Sequence, residues 1–214
     1  MKTYELAAKE CPVIREVDVV VCGGGPGGIG AAIAAARQGM KVALLERFGA
    51  LGGLITTGLV TTCMSAVAVS GDKLLIRGIF EEMVNRCAAK GGAIKGYELK
   101  YSNKFFTYDM SRCEKDLQIY PFDPEVYKLA AEEYVKEYNI EVMYYTLVTD
   151  TIVEDRLIKG IVIENKSGTQ ILMAKQFIDA TGDASIARMC GLPCTLADGQ
   201  KTPMTMMFHF GGAS

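Results

Sequence analysis

A chain of 214 residues, half of them hydrophobic, is long enough and apolar enough to bury one large core or two small ones. A formal net charge of -2 and a pI near 5.6, with no basic run, argue against nucleic acid or an acidic membrane surface as the main partner and leave small molecules. The first residues form no basic start with an apolar h-region behind it, and no apolar window is long enough for a membrane span, so the expected location is cytoplasmic.

In chain order, residues 1–16 read as an N-terminal extension. Val17–Cys22 is a β-branched run suited to a strand covered on both faces. The alanine-rich stretch Gly27–Gln38 reads as a helix stopped by Gly39, and Lys41–Glu46 as a second buried strand. Strand, helix and strand at this spacing predict a right-handed βαβ unit with parallel neighbours.

Residues about 60–122 change texture to glycine, threonine and mixed polarity, an insertion expected on the substrate side. It holds one clear helix, in which Ile79, Phe80, Met83, Val84, Cys87 and Ala88 recur at helical spacing ahead of Gly91 and Gly92. The next helix should start at Asp123 as cap and Pro124 in the first turn, with Val126, Leu129, Ala130 and Tyr134 on its inner face.

Strands follow at residues 141–145, 148–154, 159–164 and 169–173, the last three joined by short turns into an antiparallel meander. Lys175–Ala184 reads as another buried strand running into a glycine turn and a short helix that ends at Gly191. Residues 17–200 are therefore expected to form the main domain. Residues 201–214, with a strand at Thr205–Phe210, are expected to begin a substrate or cap domain.

Gly23, Gly25 and Gly28 fit G-x-G-x-x-G, with Pro26 and Gly27 inside it, directly between a strand and a helix. The first glycine permits the tight turn, the second lets the backbone approach a pyrophosphate, and the third lets helix and strand pack closely. Glu46, at the end of the second strand, is placed to accept ribose hydroxyls. This pattern predicts dinucleotide binding and leaves NAD and FAD both open.

The stretch "DVVVCGGGPGGIGAAIAAARQGMKVALLERFGALGG" resembles the extended ADP-binding motif of FAD-dependent oxidoreductases with a glutathione-reductase-like Rossmann domain, including Glu46, Arg47, Gly52 and Gly53. The following "ITTGLV", with Thr56 and Thr57, is similar to the segment that passes the pyrophosphate toward the isoalloxazine in that family. Residues 144–193 resemble its meander and second nucleotide motif, "ATGD".

By that resemblance Val148 holds the adenine through its backbone, and Ala180, Thr181 and Gly182 lie beside the ADP moiety. The resemblance implies an α/β fold: a Rossmann-type domain with a parallel sheet, helices on both faces and an antiparallel meander. It also implies FAD as cofactor and hydride or electron transfer from a small organic substrate to flavin. An NAD-dependent dehydrogenase is the weaker alternative, because it needs neither "LERFGALGG" nor the meander before "ATGD".

Members of the family are longer, which implies a missing C-terminal half with the rest of the cap and a final glycine-aspartate motif. A homo-oligomer covering the missing interface, or a non-catalytic module within a split flavoenzyme, are the related expectations. No catalytic base stands out in the sequence.

The remaining candidates have quieter readings. The seven cysteines (Cys11, Cys22, Cys63, Cys87, Cys113, Cys190 and Cys194) form no CxxC and read as reduced thiols, and no metal site is expected. A redox role for Cys63 lacks a partner at suitable spacing. His209 is the only histidine, which removes Ser-His-Asp chemistry. Arg77, Arg112 and Lys115 read as surface charge, the tyrosines from Tyr97 to Tyr120 as packing or stacking residues, and Asp183 as the cap of the short helix.

Overall fold

Val17 and the four consecutive residues Val19–Cys22 are buried, and this makes β1 (Val13–Cys22) the strand around which the fold is built. The computed structural model describes residues 2–4, 10–63, 76–93, 120–194 and 206–207. After β1 come α1 (Pro26–Arg37), β2 (Val42–Leu45), a 3-10 turn (Gly53–Ile55), β3 (Thr62–Cys63) and α2 (Ile79–Ala89). Then follow β4 (Tyr120–Pro121), α3 (Pro124–Glu137), β5 (Glu141–Met143), β6 (Leu147–Glu154), β7 (Leu157–Asn165), β8 (Gly168–Asp179) and α4 (Ser185–Met189).

Six strands form one sheet in the order β5-β2-β1-β8-β7-β6. Pairing is parallel from β5 through β2 and β1 to β8, and antiparallel from β8 through β7 to β6. The βαβ unit and the meander therefore share a sheet through β8. That strand is continuous, where the sequence suggested a break near Ala174: residues 168–173 pair with β7, and residues 171–179 pair with β1. The same pairing carries β1 back to Val13, with Ile171 donating to the Pro12 carbonyl at 2.9 Å. Residues 13–16 are thus strand, formed by a remote partner although their own side chains are largely exposed.

Alternation along the parallel strands sorts their side chains onto two faces. Val19, Val21, Val42 and Leu44 meet Ile29 and Ile33 of α1, Met83 and Val84 of α2, and Tyr134 of α3. Val20, Cys22, Ala43 and Leu45 meet Ile161, Ile163 and Leu172 of the meander and Ile186 of α4. One face is thus covered by the three long helices and the other by the meander with the short α4.

Asp123 caps α3, accepting from Glu125 N at 2.8 Å and Val126 N at 3.1 Å. The buried face of α3 differs from the expected one. Tyr127, Ala130, Ala131, Tyr134 and Val135 are inside, while Leu129 is 49% exposed. Rotating the helix this way adds the Tyr127 ring to that of Tyr134, and its area outweighs that of one leucine. Arg37 then bridges the helices, donating to Glu82 of α2 at 3.0 Å and to the Tyr134 hydroxyl at 2.8 Å.

The short pair of β3 and β4 brings the two flanks of the insertion together, and Tyr120 is buried there against Phe80. Tyr97, Tyr101, Tyr108, Arg112, Cys113, Lys115 and His209 lie outside the described residues, as does most of the expected strand Thr205–Phe210. Met206 and Met207 are exposed and belong to no helix or strand. Among the described residues no helix is long and apolar enough to cross a membrane.

Candidate nucleotide site

The turn after β1 is held by its own backbone. Gly23 has φ +106, a left-handed value that a side chain disfavours, and its N–H donates to the Leu45 carbonyl at 2.8 Å. A Cβ on Gly23 would lie 2.4 Å from the Ala180 carbonyl oxygen, and one on Gly28 would lie 1.8 Å from the Gly23 carbonyl oxygen. Both positions are closed to any larger residue, and through them α1 and β8 pack on the end of β1.

Gly25 and Gly27 are different. A Cβ at either meets no atom within 4 Å beyond its chain neighbours and the backbone of its own helix. Gly25 is also the N-cap of α1, with no side-chain hydrogen bond to the cap, and Pro26 follows it in the first turn. The first-turn N–H groups have no acceptor within their helix and sit at the positive end of its dipole. An opening bounded by bare backbone amides suits an anion held by the main chain.

Glu46 closes one side of this loop. It is only 5% exposed. Its Oε2 accepts from Gly24 N at 2.8 Å and its Oε1 from Phe48 N at 2.8 Å. Each carboxylate oxygen keeps a further lone pair for a hydroxyl. Gly24, absent from the residues the motif singled out, has its own requirement: a Cβ there would lie 2.6 Å from Leu51 Cδ2 and 2.9 Å from Glu46 Oε2. The signal in the sequence was the middle one of three consecutive glycines, which a G-x-G-x-x-G template reads as a free position.

The segment after Glu46 folds back onto the loop. Gly52 N donates to the Gly24 carbonyl at 2.8 Å, and a Cβ on Gly53 would lie 3.0 Å from Gly25 Cα. Thr56 is 1% exposed and donates its hydroxyl to the Leu51 carbonyl at 2.8 Å, so its side chain locks this turn from inside. Thr57 is exposed beside it. Arg47 is exposed, its guanidinium 4.8 Å from the centre of the Phe48 ring.

Val148 lies at the acid end of the site. Thr146 N donates to the Glu46 carbonyl at 2.9 Å and Tyr145 N to the Phe48 carbonyl at 3.2 Å, so the start of β6 runs alongside residues 46–48. Val148 is half-buried there, opposite Ile163 and next to a bulge in the ladder.

The second motif reaches the glycine loop from β8. Ala180 N donates to the Cys22 carbonyl at 2.9 Å, and Thr181 Cα would be 3.1 Å from a Cβ on Gly23. Gly182 is exposed in the turn that follows. The cap of α4 corrects the expectation for Asp183. Ile186 N and Ala187 N donate to Asp179 Oδ2 at 2.9 and 3.2 Å, and Ser185 N donates to Thr181 Oγ1 at 3.0 Å. The chain makes a full turn between Asp179 and α4, which puts the earlier carboxylate under the helix. Partial burial works against ionisation of Asp179, yet its hydrogen bonds with Thr181, Ala187 and Ile186 hold its carboxyl below the ordinary range.

The assembled residues stand at the carboxyl ends of β1, β2 and β8. Connectivity runs from β1 outward to β2 and β5 on one side and returns to β8 on the other, the position where open α/β sheets bind ligands. Two surface hollows, one lined by Val135, Ile140 and Tyr144 and one by Asp18, Lys41 and Lys175, include none of the loop glycines. The first-turn amides of α1 make the loop the candidate site in preference to either hollow.

Among the described residues no thiol is favoured for redox use. Burial pushes Cys22 up to about 12 and Cys87 up to about 11, and raises Cys63 as well. Among the described residues no group of three or more His, Cys, Asp or Glu side chains could hold a metal ion.

Comparison with known proteins bears on this site. The family model described as FAD dependent oxidoreductase matches residues 18–214. The mitochondrial dihydrolipoyl dehydrogenase of Pisum sativum is 28% identical over 185 residues, covering 81% of this chain and 34% of that protein. The dihydrolipoyl dehydrogenase of Trypanosoma brucei brucei is 45% identical over 64 residues, 30% of this chain and 12% of that one.

Among solved structures, L-proline dehydrogenase from P. horikoshii superposes with a TM-score of 0.57 at 19% identity, covering 86% of this chain and 57% of that one. A geranylgeranyl bacteriochlorophyll reductase-like protein from Thermoplasma acidophilum gives 0.54 at 18% identity, covering 83% and 42%. At such identities these two likenesses speak to the fold. The chain spans about a third of the length of the pea enzyme.

Proposed function

This chain belongs to the family of FAD-dependent oxidoreductases, and from that membership we propose that its glycine loop holds the pyrophosphate of FAD within an enzyme that oxidises or reduces a small organic substrate. The observation that carries the reading is Gly25: space open to a side chain, at the uncapped start of α1, with Gly53 close beside it.

The residues divide the work by their chemistry. The first-turn amides of α1 bind the diphosphate oxygens, and Gly25 and Gly27 keep side chains out of their way. Glu46 accepts the ribose hydroxyls with the lone pairs left over from Gly24 and Phe48. Val148 holds the adenine through its backbone, just after the start of β6 that runs alongside residues 46–48. Ala180, Thr181 and Gly182 wall the far side of the loop. Gly52 and Gly53, with Thr56 inside the turn, shape the passage from the diphosphate toward Thr57. FAD held by these residues would supply hydride- or electron-transfer chemistry.

The reading extends to a portion of a larger flavoenzyme in the cytoplasm, completed by further polypeptide or by a second copy, with no nucleic-acid partner. Support comes from the relatives' greater length and from a composition free of basic runs. The test is titration of the purified protein with FAD and, separately, NAD, followed by flavin fluorescence and calorimetry. Saturable FAD binding with quenched fluorescence is expected, and NAD binding in its place overturns the reading.

A further inference from the structure

We propose that Asp179 is a positioning residue for the nucleotide site, its carboxylate gathering residues 181–187 into the turn that sets Ala180 and Thr181 against the glycine loop. The inference rests on the reading of that loop as the FAD site.

Four donors from one short segment converge on this carboxylate. Oδ1 accepts from Thr181 N at 3.1 Å and from Thr181 Oγ1 at 2.7 Å. Oδ2 accepts from Ile186 N at 2.9 Å and Ala187 N at 3.2 Å. The segment needs such a hold. Gly182 has φ +82 and Ala184 has φ +52, and a left-handed alanine is a conformation its side chain disfavours. Asp179 is itself fixed in the sheet, paired with Cys22 of β1 immediately before the glycine turn. The carboxylate therefore ties a strained loop to the rigid end of the strand that carries Gly23.

The consequence falls on Ala180 and Thr181. The Ala180 carbonyl oxygen lies where it forbids a Cβ on Gly23, and the Ala180 side chain lies 3.4 Å from the position of a Cβ on Gly28. If residues 181–187 swing out, Thr181 leaves the glycine turn, and Ala180, still bonded through its N–H to the Cys22 carbonyl, loses the support of the residue that follows it. An acceptor-only group is required, since the amide of an asparagine would present one NH2 to donors that need an acceptor.

Asp179→Asn, Asp179→Ala and Thr181→Val test this by three readouts: FAD and ADP affinity, thermal midpoint, and amide hydrogen exchange across residues 180–187. Asp179→Ala is expected to weaken FAD and ADP about tenfold, with Asp179→Asn and Thr181→Val in between. The thermal midpoints are expected to stay near that of the unaltered protein. The amides of Ile186 and Ala187 are expected to exchange faster while those of the β1–β8 ladder do not change.

Unchanged exchange at Ile186 and Ala187 overturns the proposal, with or without nucleotide. So does faster exchange over the whole ladder, which marks a general structural role. If the unaltered protein binds neither FAD nor ADP, the reading of the glycine loop fails by itself, and exchange still decides whether Asp179 holds the turn. If it binds both and the variants bind equally well, the positioning role fails and the loop stands.

Discussion

The turns after β1 and β8 lie side by side at the same edge of the sheet, and they use their backbone amides in opposite ways. Helix α4 begins with its N–H groups already donated to Asp179 and Thr181. Helix α1 begins at a bare Gly25 with no side-chain cap. A helix start bonded to its own carboxylate has nothing left for an external anion, whereas an uncapped one has both free donors and the dipole. The pair teaches a division of labour: one turn is left open to an anion, and the other is closed on itself.

The largest effect expected is from Gly28→Ala. Its Cβ would collide with the Gly23 carbonyl oxygen, so α1 must leave β1, and denaturant unfolding should show a loss of about 3 kcal/mol or more. Gly25→Val breaks the comparison from the other side. The added side chain starts in open space, so the unfolding midpoint should hold while FAD affinity drops about a hundredfold by titration. A Gly25 variant that unfolds, or one that still binds, removes the distinction between packing and binding glycines.

Glu46→Ala comes next. It leaves Gly24 N and Phe48 N without their acceptor, so stability should fall by about 1–3 kcal/mol together with a loss of FAD affinity. Calorimetry on the free and loaded protein separates the two losses.

A smaller effect sharpens the second turn. The folded carboxyl of Asp179 ionises below its unfolded counterpart, so its contribution to stability is present above an unfolded pKa of about 3.9 and is lost as pH falls through the lower folded value. Asp179→Asn should flatten that part of the stability profile, by less than about 1 kcal/mol because the group is partly exposed. Smallest of all, Leu129→Ala on the outer side of α3 should change stability by no more than about 0.5 kcal/mol.

Much of this molecule was legible along the chain wherever the determining contacts are local. The strand-glycine-helix junction at Cys22–Pro26, the Asp123 cap of α3 and the tight turns of the meander each depend on residues a few positions apart. Spacing and residue type therefore reveal them. The proximity of Glu46 to the glycines of the loop follows from the chain for the same reason, since they belong to one βαβ unit.

What the tertiary structure alone decided involves partners distant in sequence. Pairing with β8 made residues 13–16 a strand, and rings packing between helices turned α3 onto Tyr127 and away from Leu129. The Ala180 carbonyl explains why Gly23 is glycine, and the buried side chains of Leu51 and Glu46 crowd the place of a Cβ at Gly24. A Cβ is excluded only by atoms that the folded chain brings within about 3 Å, and no periodicity records which remote atoms those are.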